Sequence, residues 1–148
     1  MAWPPRKSKS SFKNNRHVYD GRAFDSNYER AVYDYLKILE LTGGIRFLRQ
    51  QCTIKFEPLN IGYRADFEIE EKLDDGTWRR VLVEAKGGWV NETWPLKLKM
   101  YRAIGPCPLW LFTGMKNGQP KLIEIVMPLT YVHAECGEAY QAWLSLCK

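Results

Sequence analysis

Tyr28, Val32, Tyr35, Leu36 and Leu39 recur at helical spacing, which predicts a helix over residues 25–41. Thr42-Gly43-Gly44 supplies its stop. Ser26 followed three residues later by Glu29 fits a capping box, in which the Glu side chain reaches back to the first free backbone amide. From Ile45 to Glu57, Phe47, Thr53, Ile54 and Phe56 stand in a polar-apolar mixture that predicts one or two short strands, ended by Pro58. The clearest period follows. Tyr63, Ala65, Phe67 and Ile69 alternate with Arg64, Asp66, Glu68 and Glu70, the pattern of a half-buried strand with a solvated polar face. Val81, Val83 and Ala85 alternate with Leu82, Glu84 and Lys86 in a second strand, and Asp74-Asp75-Gly76 between them is hairpin chemistry. The helix therefore precedes an antiparallel meander.

After Gly87-Gly88, residues 94–104 form a short helix starting near Pro95, with Leu96, Met100 and Ile104 on one side and Lys97, Lys99 and Arg102 largely elsewhere. Leu109-Trp110-Leu111-Phe112 suits a buried strand, and Lys121 to Val126 makes another after the Lys116-Asn117-Gly118 turn. Ala139, Tyr140, Trp143, Leu144 and Cys147 predict a terminal helix over 135–147. The order of helix, strands, helix, strands and helix predicts an α/β fold with a mixed central sheet flanked by helices.

At 148 residues and 45% hydrophobic content, the chain suffices for one domain with a real core. Charge divides it. Arg6, Lys7, Lys9, Lys13, Arg16 and Arg22 against Asp20 alone carry the whole net charge of +5, so residues 1–22 read as a flexible basic arm and 23–148 as the domain. Such an arm meets nucleic-acid phosphates or serves as a solubilising tail. No run approaches the roughly 18 apolar residues of a membrane span, and no apolar run follows the N-terminal bases as in a signal peptide, so the expectation is a soluble cytoplasmic protein. Cys52, Cys107, Cys136 and Cys147 show no C-x-x-C pairing, and His17 and His133 stand far apart. That argues against a structural zinc site and for cysteines that are buried or idle.

Chemistry enters at the hairpin. A turn centred on Asp75 places Asp66 opposite Glu84 and Arg64 opposite Lys86, while alternation puts Glu84 and Lys86 on one face. Opposed carboxylates repel unless a cation lies between them or they face open water. A divalent cation resolves the conflict. Hard oxygen ligands suit magnesium or manganese and a phosphate-ester substrate, beside which Lys86 orients a water or stabilises charge. On the residues alone, the capping box explains Glu29, and a solvated hairpin face accounts for Asp66, Glu84 and Lys86 about as well. Lys97, Lys99 and Arg102 serve a DNA backbone or a solvated helix face, and Trp89 and Trp94 stack on a base or pack. Trp110 and Trp143 read as packing residues.

Asp66 followed by Glu84-Ala85-Lys86 on the next strand resembles the PD-(D/E)xK nuclease superfamily pattern, with Ala65 where the pattern's proline would stand. Within that superfamily, Ser26-Asn27-Tyr28-Glu29, Ala65-Asp66-Phe67 and Val83-Glu84-Ala85-Lys86-Gly87-Gly88-Trp89 resemble the phage endonuclease I type of Holliday-junction resolvase, over roughly residues 24–113. The resemblance implies a restriction-endonuclease-like αβββαβ core. It also implies Glu29, Asp66, Glu84 and the Ala85 backbone carbonyl as ligands of Mg2+ or Mn2+, and Lys86 as the catalytic lysine. Arg6, Lys7, Lys9, Lys13, Arg16, Lys97, Lys99 and Arg102 are then the expected DNA contacts. The activity it implies is a metal-dependent endonuclease on branched DNA, a homodimer, in the host cytoplasm if phage-encoded. The alternatives are a nucleic-acid-binding module without turnover, or a transposon-end or repair nuclease of the same superfamily.

Overall fold

A computed structural model of the chain describes residues 17–57, 59–88 and 92–132. Helix α1 (Asn27–Leu41) is capped by Ser26, extended at φ −151° and ψ 158°, whose hydroxyl accepts from the Glu29 N–H at 3.0 Å. The other half of the capping box is displaced: Glu29 Oε2 accepts from the Asp25 N–H at 2.9 Å, one residue before the cap. Val32, Tyr33 and Leu36 are buried, with Tyr28, Tyr35 and Leu39 packed around them, so the helical stripe holds and gains Tyr33. Two short strands precede the helix, β1 (His17–Tyr19) and β2 (Arg22–Phe24), in the stretch where the sequence ends its basic arm. Asp20 and Gly21, at φ +52° and +69°, turn this hairpin, and Tyr33 Oη donates to Asp20 at 2.7 Å to dock it on α1.

The main sheet contains β3 (Ile45–Phe56), β4 (Ile61–Lys72), β5 (Trp78–Lys86), β6 (Leu109–Lys116) and β7 (Gln119–Val126), in that spatial order. Neighbours are antiparallel except β5 and β6, which are parallel and joined by helix α2 (Trp94–Ile104), the crossover that parallel strands require. The fold is thus α/β, a mixed sheet flanked by helices. The helix, three strands, helix and two strands come in the expected order, β7 included, with the small hairpin added. Of the one or two short strands expected from Ile45 to Glu57, residues 45–56 form one, long rather than short, bulged between Phe47 and Arg49. The helix expected over 135–147, with Trp143, lies outside the described residues. No helix among the described residues is long and apolar enough to cross a membrane.

Alternation along β5 and β6 separates two cores. Val81, Val83, Trp110 and Phe112 pack with α1, whereas Leu82, Leu109 and Leu111 pack with Trp94 and Tyr101 of α2. Of the expected Leu96–Met100–Ile104 stripe of α2, Met100 and Ile104 pack against the core half-buried and Leu96 does not. Trp94 and Tyr101 are buried and Leu96 is 62% exposed, because the large rings remove more apolar surface from water than one Leu does. Cys52 and Cys107 are buried, free thiols. Glu68, expected on a solvated face, is buried between the guanidinium groups of Arg49 and Arg80.

One departure from strand alternation shapes the molecule. Tyr63, Ala65, Phe67 and Ile69 belong on one face of a regular strand, yet Tyr63 and Ala65 pack in the α2-side core and Phe67 and Ile69 in the α1-side core. The exchange of faces occurs at Asp66. On β3 it is matched at Gln51, which falls between the pairs Gln50–Phe67 and Cys52–Ala65 and has φ +55°, a left-handed backbone that is strained for a residue with a side chain.

Candidate functional site

The β4–β5 ladder keeps the predicted register from Lys72–Trp78 to Phe67–Val83 and ends there. Beyond that point β5 continues against β6, with Lys86 opposite Thr113. The expected pairs Asp66–Glu84 and Arg64–Lys86 do not form. Instead Asp66 Oδ2 accepts from the Ala85 N–H at 2.7 Å, and Arg64 turns to Asp25 at 3.9 Å. Two carboxylates held face to face by a continuous ladder would repel, and opening the ladder into a fork relieves this while giving Asp66 a backbone donor.

The fork gathers the side chains that the sequence singles out. Glu84, 3% exposed, accepts at Oε2 from the Tyr63 hydroxyl and meets the Lys86 ammonium at Oε1. The same ammonium lies 4.4 Å from the centre of the Trp94 ring, so Trp94 packs and also supports the lysine. Glu29, 4% exposed, has Oε2 on the Asp25 N–H and Oε1 on Gln50 Nε2 at 3.2 Å; Gln50 also donates to the Ala23 carbonyl at 2.7 Å. A hollow of about 220 Å³ lined by Ala23, Asp25, Gln50 and Gln51 opens beside it. The first turn of α1 and the end of β5 touch at Gly87, where a Cβ would stand 3.2 Å from Tyr28 Cβ.

The electrostatics follow from this crowding. Burial, and then the charge of Glu84, push the Asp66 carboxyl up to about 8, against the pull of the Ala85 N–H and with a smaller push from Glu29. Burial also raises Glu29, which its bonds to Asp25 and Gln50 partly offset. Burial and the neighbouring Glu84 raise the Tyr63 phenol.

Among the described residues, no three carboxylate, imidazole or thiolate groups form a ready-made ligand set for one ion. What the fork offers is smaller. Asp66 and Glu84 are hard oxygen donors whose mutual repulsion a cation would reverse, and one or two carboxylates suffice for magnesium, which keeps most of its waters. That donor chemistry fits a small divalent cation. Glu29 stands behind the pair, with each of its oxygens already bonded within the protein.

Of the expected DNA contacts, Arg6, Lys7, Lys9, Lys13 and Arg16 lie outside the described residues, as does Trp89. Lys99 is exposed on α2 and Lys97 half-buried, while Arg102 forms a two-pronged pair with Glu124 of β7. Tyr63, Gln50 and the support role of Trp94 were not read from the sequence. Only Tyr63 carried a signal, since a phenol on a strand face that buries its ring needs a partner for its hydroxyl. No family model, curated protein or solved structure matches this chain.

Proposed function

We propose that this chain is a divalent-metal-dependent endonuclease that hydrolyses DNA phosphodiester bonds, of the PD-(D/E)xK type, with branched DNA as the substrate class. The observation that carries the reading is the convergence of Asp66, Glu84 and Lys86 at one fork in the sheet, where burial and like charge hold Asp66 up to about 8. The preference for branched DNA rests on the resemblance of the Ser26–Glu29, Ala65–Phe67 and Val83–Trp89 blocks to phage endonuclease I-type resolvases.

In this reading Asp66 and Glu84, joined by the Ala85 carbonyl, hold Mg2+ or Mn2+. Such a cation, when bound, lowers the pKa of a water and clamps the reacting phosphate oxygens. The residues of the chain do the rest. The Ala85 N–H fixes one Asp66 oxygen, so the other is left for ligation. Lys86, braced by Trp94, brings a positive charge to the place where phosphate charge develops. Glu29 adds negative charge behind Asp66 and Glu84 and strengthens their attraction for a cation.

The test incubates the purified chain with labelled linear, flap and four-way DNA, with Mg2+ or Mn2+ or with chelator, beside Asp66→Asn. Expected are cuts that require the cation, fall by about 100-fold or more in Asp66→Asn, and leave DNA binding intact. Binding of every substrate without a cut under either metal overturns the endonuclease reading in favour of a module without turnover.

A further inference from the structure

We propose that Tyr63 sets the cation preference of the fork by restricting Glu84 to a single ligating oxygen. The inference rests on the reading above, that Asp66 and Glu84 hold a divalent cation, and adds which cation they select and why.

The two oxygens of Glu84 are not equivalent. Oε2 accepts from the Tyr63 hydroxyl. The Tyr63 ring is 3% exposed, stacked on Phe56 at 5.8 Å and set edge-on to Tyr101 at 5.5 Å. Tyr101 is itself pinned by its hydroxyl to the Cys107 carbonyl at 2.9 Å, so the Tyr63 phenol has no room to turn away. Oε1 meets the Lys86 ammonium, whose flexible side chain is 26% exposed and free to exchange its partner. Asp66 repeats the arrangement, with Oδ2 committed to the Ala85 N–H. Each carboxylate therefore keeps one oxygen on a fixed internal donor and offers the other.

That pattern discriminates between cations of equal charge. Calcium takes six to eight oxygens and commonly chelates a carboxylate through both, whereas magnesium and manganese accept an octahedron completed by water. An oxygen that already accepts a buried hydrogen bond from an immobile ring donates poorly to a second centre. Two one-oxygen carboxylates thus suit the smaller ion and deny calcium the two-oxygen chelation it commonly takes.

Isothermal titration calorimetry of the full chain with Mg2+, Mn2+ and Ca2+ tests this, with Tyr63→Phe and Tyr33→Phe alongside and circular dichroism confirming that each variant is folded. Wild type is expected to bind Mn2+ and Mg2+ in preference to Ca2+. Tyr63→Phe removes the hydroxyl and keeps the ring, and shifts the Ca2+ to Mg2+ affinity ratio toward Ca2+ by about tenfold, the scale of a lost supporting hydrogen bond at a metal ligand. Tyr33→Phe, which removes a hydroxyl bonded to Asp20 in the α1-side core, away from Glu84 and Tyr63, leaves the ratio unchanged. A wild-type chain that binds Ca2+ as tightly as Mn2+ overturns the inference, whatever the variants do. So does an unchanged ratio in Tyr63→Phe, or an equal shift in both variants. A wild-type chain that binds none of the three cations overturns the metal site itself, and the inference with it.

Discussion

Asp66 is the residue on which the proposed chemistry and the stability of this protein meet. Its carboxyl rises from an ordinary 3.8 to about 8 in the folded chain, through burial first and the charge of Glu84 second. A group raised in this way binds more protons folded than unfolded, so its contribution is complete below the unfolded value and is lost as pH climbs through about 8. In chelator, denaturant titrations between pH 4 and 8 should show wild type losing stability relative to Asp66→Asn. At pH 8 the variant should be the more stable by about 2 kcal/mol, because Asn still accepts from the Ala85 N–H without carrying charge. Parallel pH profiles for the two proteins would refute the raised carboxyl. The sequence identified Asp66, Glu84 and Lys86 because residue types and alternation are local. It did not show that Asp66 bonds the backbone of β5, since cross-strand pairing extrapolated from the turn assumes that the ladder continues. The ladder ends where continuing it would set two carboxylates face to face.

At the scale of elements, the first helix and the β4–β5 hairpin were legible for the same reason: a cap, a stop and a turn are each encoded within a few residues. The buried face of α2 was legible only in Met100 and Ile104, because the choice of Trp94 and Tyr101 over Leu96 is made by the sheet beneath it. The end of α2 is tightly specified. At Gly105 an added Cβ would stand 2.6 Å from the Tyr101 ring and 2.7 Å from the Tyr101 carbonyl oxygen, which already accepts the Gly105 N–H at 2.8 Å. The carbonyl cannot withdraw without losing that bond. Gly105→Ala is therefore expected to destabilise the fold by about 2 kcal/mol, seen as a fall of about 6 °C in the melting midpoint. An unchanged midpoint would mean that Tyr101 is not fixed, and would remove the support claimed for Tyr63.

For the whole molecule, the layered fold places α1 and α2 on opposite faces of one sheet, and the fork is where their two cores exchange strands. Glu29 comes from the α1 layer, Tyr63, Glu84 and Trp94 from the α2 side, and Asp66 from the crossing between them. The hairpin from His17 onward packs on α1, so the informative truncation removes residues 1–16 and keeps that hairpin. In the endonuclease reading this truncation weakens DNA binding at low salt and flattens the dependence of affinity on salt, because Arg6, Lys7, Lys9, Lys13 and Arg16 no longer displace counterions. An unchanged salt slope would return those residues to the role of a solubilising tail. The claim beneath all of this is that Asp66 and Glu84 share one small divalent cation. Anomalous scattering from crystals equilibrated with Mn2+ tests it most directly. The account predicts a single strong peak between the two carboxylates that is absent in Asp66→Asn, and a fork without manganese in crystals of the wild-type chain would contradict it.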